Sequence, residues 1–142
     1  MFAAFKKLVG DTSNKFARDK NYLEAVLAAA ALIAIADGEI EESEEVALLK
    51  AVSANAVLSS AWSAREIEQL AQKMLDRAKG GRMGQNGLYQ EIEDIASNPD
   101  MAEAVLLMAL DVSEGDGQIE PQEKVVLEKI AGRLNLNLNK YL

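Results

Sequence analysis

Two side chains that often carry catalysis or bind transition metals are missing, because the sequence contains no cysteine and no histidine. Their absence excludes thiol redox chemistry, nucleophiles activated by histidine, and zinc sites of the usual kind. Oxygen atoms remain as the main metal ligands, and they select hard cations such as Ca²⁺ and Mg²⁺. Any metal site in this chain is therefore expected to be an oxygen site.

Residues that interrupt helices or favour strands are also scarce, with two prolines and 5% aromatic residues in a chain of 142. Alanine, leucine, glutamate, lysine, isoleucine and methionine are used instead, and strand-like alternation is nowhere sustained. The length suits one domain with its own hydrophobic core. We therefore predict an all-α fold, a single-domain helical bundle of about seven helices.

The charge is acidic overall but uneven. A net charge of −8 argues against nucleic-acid binding, because a phosphate backbone requires a basic face. Residues 1–20 differ from the rest, with five basic residues against two aspartates. Phe2, Phe5, Leu8 and Val9 fall on one helical face there, so we predict a basic amphipathic N-terminal segment over 1–20.

Two interpretations of this N-terminal segment remain open. In one, it makes a weak membrane-surface contact, with the apolar face inserted and Lys6, Lys7 and Lys15 meeting anionic lipid. In the other, it is the first helix of the bundle and covers the core. We favour the second, because one short apolar face gives only weak membrane affinity.

The apolar run 25–36, which follows basic residues, imitates a secretory signal. A similar run recurs at 104–115, where it cannot be a leader, and Glu24 lies inside the supposed leader. The run is also too short to span a bilayer, which needs about 20 residues. We therefore expect a cytoplasmic protein without a transmembrane helix.

One pattern occurs twice in the chain, 79 residues apart. Each copy has an apolar run, an acidic loop and a second helical segment, and the copies match without a gap. The loops read Asp37-Gly38-x-Ile40-Glu41-x-x-Glu44 and Asp116-Gly117-x-Ile119-Glu120-x-x-Glu123. The pattern predicts two equivalent helix–loop–helix units, over residues 22–54 and 101–134.

The sequence between the two units predicts a further helix and a flexible connection. Ser63-x-x-Glu66 has the form of a capping box. It opens a helix whose predicted inner face carries Ile67, Leu70, Met74 and Leu75. The segment 80–87 has four glycines, which favours a flexible connection between the halves.

The acidic loops resemble half of a calcium-binding loop. Asp-Gly-x-Ile-x-x-x-Glu matches the second half of an EF-hand, including its closing glutamate. The first half is absent, because the positions of the first and third ligands hold Ile33 and Ile35 in one copy and Val112 and Glu114 in the other. A standard EF-hand is therefore excluded in the first copy and is not expected in the second.

The loop acids have two competing explanations. As metal ligands, the candidates are Asp37, Glu44, Asp116 and Glu123, with Glu41 and Glu120 of second rank. As helix caps, carboxylates at a helix N-terminus stabilise it by about 0.3–1 kcal/mol each. Capping accounts for the glutamates but less well for an aspartate before the glycine in both copies.

These loops resemble those of the TerB family, the tellurite-resistance protein B group. The resemblance rests on residues 36–44 and 113–123, with support from 129–134 and the basic amphipathic start. It implies that residues 1–142 form a single TerB-like helical domain whose acidic clusters hold divalent metal. The acids of the motif are then Asp37, Glu44, Asp116 and Glu123.

The resemblance also implies a non-catalytic role. The protein would be cytoplasmic, peripheral at the inner membrane, and a partner of other tellurite-resistance and stress-response proteins, some of them membrane-bound. Our first hypothesis is an adaptor that binds a divalent metal, Ca²⁺ or Mg²⁺, through its duplicated acidic loops. The alternative is a metal-free protein–protein interaction module with an acidic face. An enzyme is disfavoured, because no nucleophile, histidine or cofactor motif accompanies the acids. The sequence leaves open whether the loops form one site or two.

Overall fold

Helices make up the regular structure of the chain. The computed structural model describes residues 16, 18–53, 56–114 and 118–142, and no strand occurs in those ranges. Seven α-helices and one short 3₁₀ helix lie there: α1 (Lys20–Ala34), α2 (Glu42–Ser53), α3 (Ala56–Ala61), α4 (Ala64–Lys79), α5 (Gly81–Glu93), α6 (Pro99–Glu114), α7 (Pro121–Arg133) and the 3₁₀ helix (Leu138–Lys140). The prediction of an all-α fold is confirmed.

The central element is α1. Asp19 begins it by accepting a hydrogen bond from the backbone N–H of Tyr22 at 3.1 Å, as a good N-cap residue does. Every residue from 25 to 33 is buried, and a helix that is apolar all round belongs inside a protein. Accordingly α1 contacts α4, α5, α6 and α7. Its small alanine side chains let these neighbours pack closely around it.

The duplicated sequence folds into a duplicated structure. The starts of α1 and α6 are 79 residues apart, and so are the starts of α2 and α7. The caps correspond as well, because Asn98 accepts from the backbone N–H of Met101 at 3.2 Å as Asp19 does from that of Tyr22. The helices of the two units therefore have the same order and the same 79-residue spacing.

The prediction of a flexible connection at residues 80–87 is wrong, because this glycine-rich segment forms the first half of α5. A Cβ atom at Gly84 would overlap the carbonyl oxygen of Arg77, near the end of α4. The side chain of Gln85 also donates to the carbonyl of Ala78 at 3.0 Å. Glycine is needed here for close packing of two helices, a requirement that the sequence alone does not distinguish from flexibility.

The predicted capping box opens α4. The Oγ of Ser63 accepts from the backbone N–H of Glu66, and Oε1 of Glu66 accepts from the backbone N–H of Ser63, each at 3.1 Å. The predicted inner face is buried at Ile67, Met74 and Leu75, with Leu70 half-buried. The helix α3 was not predicted, because its 6 residues are too few to display a helical period.

Most of the N-terminal segment lies outside the described residues, so both interpretations of it stay predictions. This includes Phe2, Phe5, Leu8 and Val9 of its apolar face and the basic residues Lys6, Lys7 and Lys15. Among the helices that are described, none is both long enough and apolar enough to cross a membrane.

Candidate functional site

The first acidic loop turns sharply where α1 ends. The backbone N–H of Gly38 donates to the carbonyl of Ile35 at 2.8 Å, and Gly38 has a φ of +104°, which side chains other than glycine rarely tolerate. The Oδ1 of Asp37 accepts from the backbone N–H of Glu39 at 3.1 Å, as in an Asx turn. The aspartate before the glycine therefore has a local structural role that helix capping does not supply.

An apolar anchor holds each loop to the body of the protein. Ile40 and Ile119 are half-buried and pack against the hydrophobic core. The residues on either side of each isoleucine are exposed. The loops are thus pinned at one point while their polar side chains face solvent.

The glutamates that close the motif cap the second helix of each unit. The Oε1 of Glu44 accepts from the backbone N–H of Glu41 at 3.2 Å, and the Oε1 of Glu123 accepts from that of Glu120 at 3.0 Å. Each bond satisfies a backbone donor at the helix start, as in the second half of a capping box. The capping explanation is therefore confirmed for these two glutamates.

Acidic residues from both loops line one cleft, which we call the acidic cleft. Its volume is about 400 Å³. Asp37 and Glu44 come from the first unit, and Glu120 and Glu123 come from the second. The remaining described lining residues are Ile33, Ala34, Ala36, Gln118 and Gln122, with no lysine or arginine among them. The two loops thus lie at the same place in the fold, a question that the sequence left open.

The sequence-predicted acids do not all reach this cleft. Glu41 is exposed and is not among the described lining residues, whereas Glu120, given the same second rank, does line the cleft. Asp116 lies outside the described residues. Gln118 and Gln122 are cleft residues that sequence reasoning missed, because they occupy unspecified positions of the motif.

The donor chemistry of the acidic cleft suits a hard cation, although the side chains are not gathered around one point. In the part of the chain that is described, no group of three or more acidic residues is close enough to hold a metal ion. Capping by Glu44 and Glu123 uses only part of each carboxylate, which has two oxygens and about four acceptor positions. The C-terminal end of α1 contributes Ile33 and Ala34 to the lining, and the partial negative charge of a helix C-terminus favours a cation.

Comparison with known protein families gives a match over most of the chain. The family model described as tellurite resistance protein TerB matches residues 20–141. This match covers both helix–loop–helix units and every residue of the acidic cleft. No curated protein and no solved structure matches the chain.

Proposed function

The chain belongs to the TerB family of tellurite resistance proteins, and we propose that it is a non-catalytic adaptor of that resistance system that binds a divalent cation, Ca²⁺ or Mg²⁺, in the acidic cleft. The proposal rests on one observation: carboxylates of both duplicated loops line a single cleft with no described basic residue beside them. Oxygen ligands without nitrogen or sulfur are the set that such hard cations prefer.

One ion shared between the two loops is the arrangement that the acidic cleft supports best. Asp37 and Glu44 would approach the ion from the first unit, and Glu120 and Glu123 from the second. Glutamate side chains that are not fully buried can change rotamer, so a cation can draw them together at the cost of ordering them. The ion would then join the end of α1 to the starts of α2 and α7.

Calorimetric titration with Ca²⁺ and then Mg²⁺ tests this proposal, using Glu44→Gln and Glu123→Gln as variants. Glutamine keeps the carbonyl oxygen that caps the helix but removes the charge that a cation needs. We expect one ion per chain, and about tenfold weaker binding in each variant, which corresponds to about 1.4 kcal/mol. Glu128 is exposed on α7, away from the described lining of the acidic cleft. Glu128→Gln is therefore the matched control and should bind the cation as tightly as the parent chain does.

A melting measurement gives an independent readout of the same proposal. Cation at 100 times its dissociation constant should add about 2.7 kcal/mol to the free energy of unfolding. An unchanged melting temperature at saturating Ca²⁺, Mg²⁺ and Mn²⁺ would rule the proposal out. Two ions per chain, each lost in one variant only, would replace the shared site with two separate ones.

A metal-free interaction module is the second candidate, and a specific observation favours it. Glu44 and Glu123 already accept backbone hydrogen bonds, and no described trio of acids converges. An acidic cleft of this kind suits a lysine or arginine side chain of a partner, such as another tellurite-resistance or stress-response protein. Partner binding that persists in chelator and weakens with salt would support this candidate over the metal adaptor.

The cellular setting of the adaptor follows from the same proposal. We infer a cytoplasmic protein that works beside membrane-bound partners, peripheral at the inner membrane. Cell fractionation of the full chain, with and without residues 1–15, tests this while keeping the Asp19 cap of α1. Loss of membrane association on truncation would assign that contact to the N-terminal segment.

A further inference from the structure

A second polar surface lies at the other end of α7 from the acidic cleft. This basic groove runs between α5 and α7 and has a volume of about 510 Å³. Its described lining residues are Arg82, Gln85, Asn86, Tyr89, Lys129, Gly132 and Arg133, three of them cationic and none acidic. Such a surface is unexpected on a chain with a net charge of −8, so it calls for an explanation of its own.

One of the three cations is held in place by its neighbours. The guanidinium carbon of Arg133 lies 5.3 Å from the centre of the Tyr89 ring, a cation–π arrangement. Its NH2 group donates to Oδ1 of Asn86 at 3.3 Å, and its NH1 group lies 3.4 Å from Oε2 of Glu93. Glu93 offsets part of the charge of Arg133. No described carboxylate forms an ion pair with Lys129 or Arg82, so the groove stays cationic.

The phenol of Tyr89 adds a hydrogen-bond donor to the basic groove. Tyr89 is only 8% exposed and lines the groove, yet no described residue forms a hydrogen bond with its hydroxyl. The hydroxyl oxygen itself is not enclosed, so it reaches the surface of the groove. Burial raises the pKa of Tyr89, with Arg133 opposing the shift, so the hydroxyl keeps its proton at neutral pH. It can therefore donate to an anion.

We propose that the basic groove binds the phosphate group of a small soluble ligand. Tyr89 donates from below through its hydroxyl, while Arg82 and Lys129 pair with the phosphate charge from the rim. The amide of Asn86, whose oxygen is engaged by Arg133, offers its NH₂ group as a further donor. Charged hydrogen bonds to phosphate are strong, and a groove of this size falls within the range of about 300–1,000 Å³ typical of small-molecule sites.

Titration with inorganic phosphate in the presence of a chelator tests the site without involving a divalent cation. We expect Lys129→Ala to weaken phosphate binding by about tenfold, as loss of a charged hydrogen bond does. Tyr89→Phe is the sharper variant, because it keeps the ring beneath Arg133 and removes only the hydroxyl. It should weaken binding by about fivefold to tenfold, an effect that unspecific charge attraction would not produce.

Two control variants test whether phosphate binding belongs to the basic groove. Lys73→Ala removes a lysine on α4, outside the basic groove, and should leave phosphate binding unchanged. Glu44→Gln alters the acidic cleft and should also leave it unchanged, so this proposal stands or falls separately from metal binding. If Lys73→Ala weakens binding as much as Lys129→Ala does, or if Tyr89→Phe has no effect, the assigned site is wrong.

The source of the phosphate is settled by comparing two soluble ligands and one membrane. Tighter binding of glycerol phosphate than of inorganic phosphate assigns the groove to a phosphate ester, whereas equal binding assigns it to the free ion. Both results support a soluble phosphate ligand. Binding to phosphatidylglycerol vesicles without binding of either soluble ligand would overturn the proposal and make the groove a membrane contact.

Discussion

The two helices α2 and α7 begin alike and then attach to the protein differently. Each follows a half-buried isoleucine and starts with the same glutamate-to-backbone hydrogen bond. Beyond that start, α2 packs on α4. Glu45 on the first turn of α2 forms an ion pair with Lys79 at the end of α4. By contrast, α7 packs on α1, α5 and α6, and Arg133 at its end stacks over the ring of Tyr89.

The sequences of the two units also agree at some positions and differ at others. Position 45 in the first unit corresponds to 124 in the second, and the residues there, Glu45 and Lys124, have opposite charges. By contrast, the apolar anchor and the closing glutamate of the loops are the same in both units, since Ile40 matches Ile119 and Glu44 matches Glu123. The two units therefore share the anchor and the closing glutamate of their acidic loops, and they differ where each helix meets the rest of the bundle.

The largest expected loss of stability comes from truncating a core leucine on α2 or on α7. Leu48 and Leu127 are equivalent residues and both are buried. Truncation of either to alanine should cost about 2–5 kcal/mol in free energy of unfolding. We expect Leu127→Ala to cost more, because α7 packs against three α-helices of the core region and α2 packs mainly on α4. Urea denaturation measures both, and an equal or larger cost for Leu48→Ala would contradict this ranking.

The sequence predicted the helix pairs well because their signals are local. Ser63 marks the start of α4 through a short-range capping box, and the duplication gives the register of the second unit directly. The packing of one helix against another was harder to predict from the sequence. Gly84 looked like a flexible position, although it is the point where α5 meets the carbonyl of Arg77, a contact that depends on the crossing of two helices.

The acids that line the acidic cleft lie at positions of the motif, but their arrangement around one cleft was not predicted. The motif identified Asp37, Glu44 and Glu123 by spacing alone, since each is placed by its own loop. That acids of both loops line one cleft follows from how α1 and α6 pack together, which no local pattern encodes. The basic groove was missed for the same reason, because its cations are far apart in sequence and meet only when α5 packs on α7.

Replacing glycine by alanine should lower stability in the first loop and raise it in α7. Gly38 has a φ of +104°, so Gly38→Ala should cost about 1–2 kcal/mol in stability. Gly132 lies inside α7 with open space where a Cβ would be added. Gly132→Ala should therefore stabilise the protein by about 0.5–1 kcal/mol. Thermal unfolding of both variants checks this, and a loss of stability in Gly132→Ala would show that its open space is needed.

A smaller change in stability is expected at Ser113, a buried polar residue of the second unit. It is 1% exposed, and its hydroxyl has no hydrogen-bond partner among the described residues. The equivalent residue of the first unit is Ala34, which needs no such partner. Because an unpartnered buried hydroxyl is unfavourable, Ser113→Ala should stabilise the protein by about 1 kcal/mol in urea denaturation. If the variant is instead less stable by that amount, the hydroxyl has a partner in the folded protein.

The smallest change in stability is expected from removing the ion pair between Glu45 and Lys79, which has no described counterpart at the equivalent position of α7. The Oε1 of Glu45 accepts from Gln72 at 2.6 Å, and Lys79 pairs with its other oxygen. Hydrogen bonding to Lys79, and then to Gln72, lowers the pKa of Glu45 below its ordinary value of 4.5. Since the folded pKa is the lower one, the stabilisation is fully present above about pH 4.5 and is lost as the pH falls through the folded pKa.

Glu45→Gln should therefore lower stability by about 0.2–1 kcal/mol at neutral pH, the range for a largely solvated pair. The difference from the parent chain should shrink as the solution is acidified, because protonation of Glu45 removes the same interaction from the parent. Lys124→Gln, at the equivalent position of α7, is the control and should show no such convergence. Urea denaturation across the acid range measures both variants. A Glu45→Gln cost that stays constant down to the most acidic pH would mean that Glu45 acts through packing or hydrogen bonding rather than through its charge.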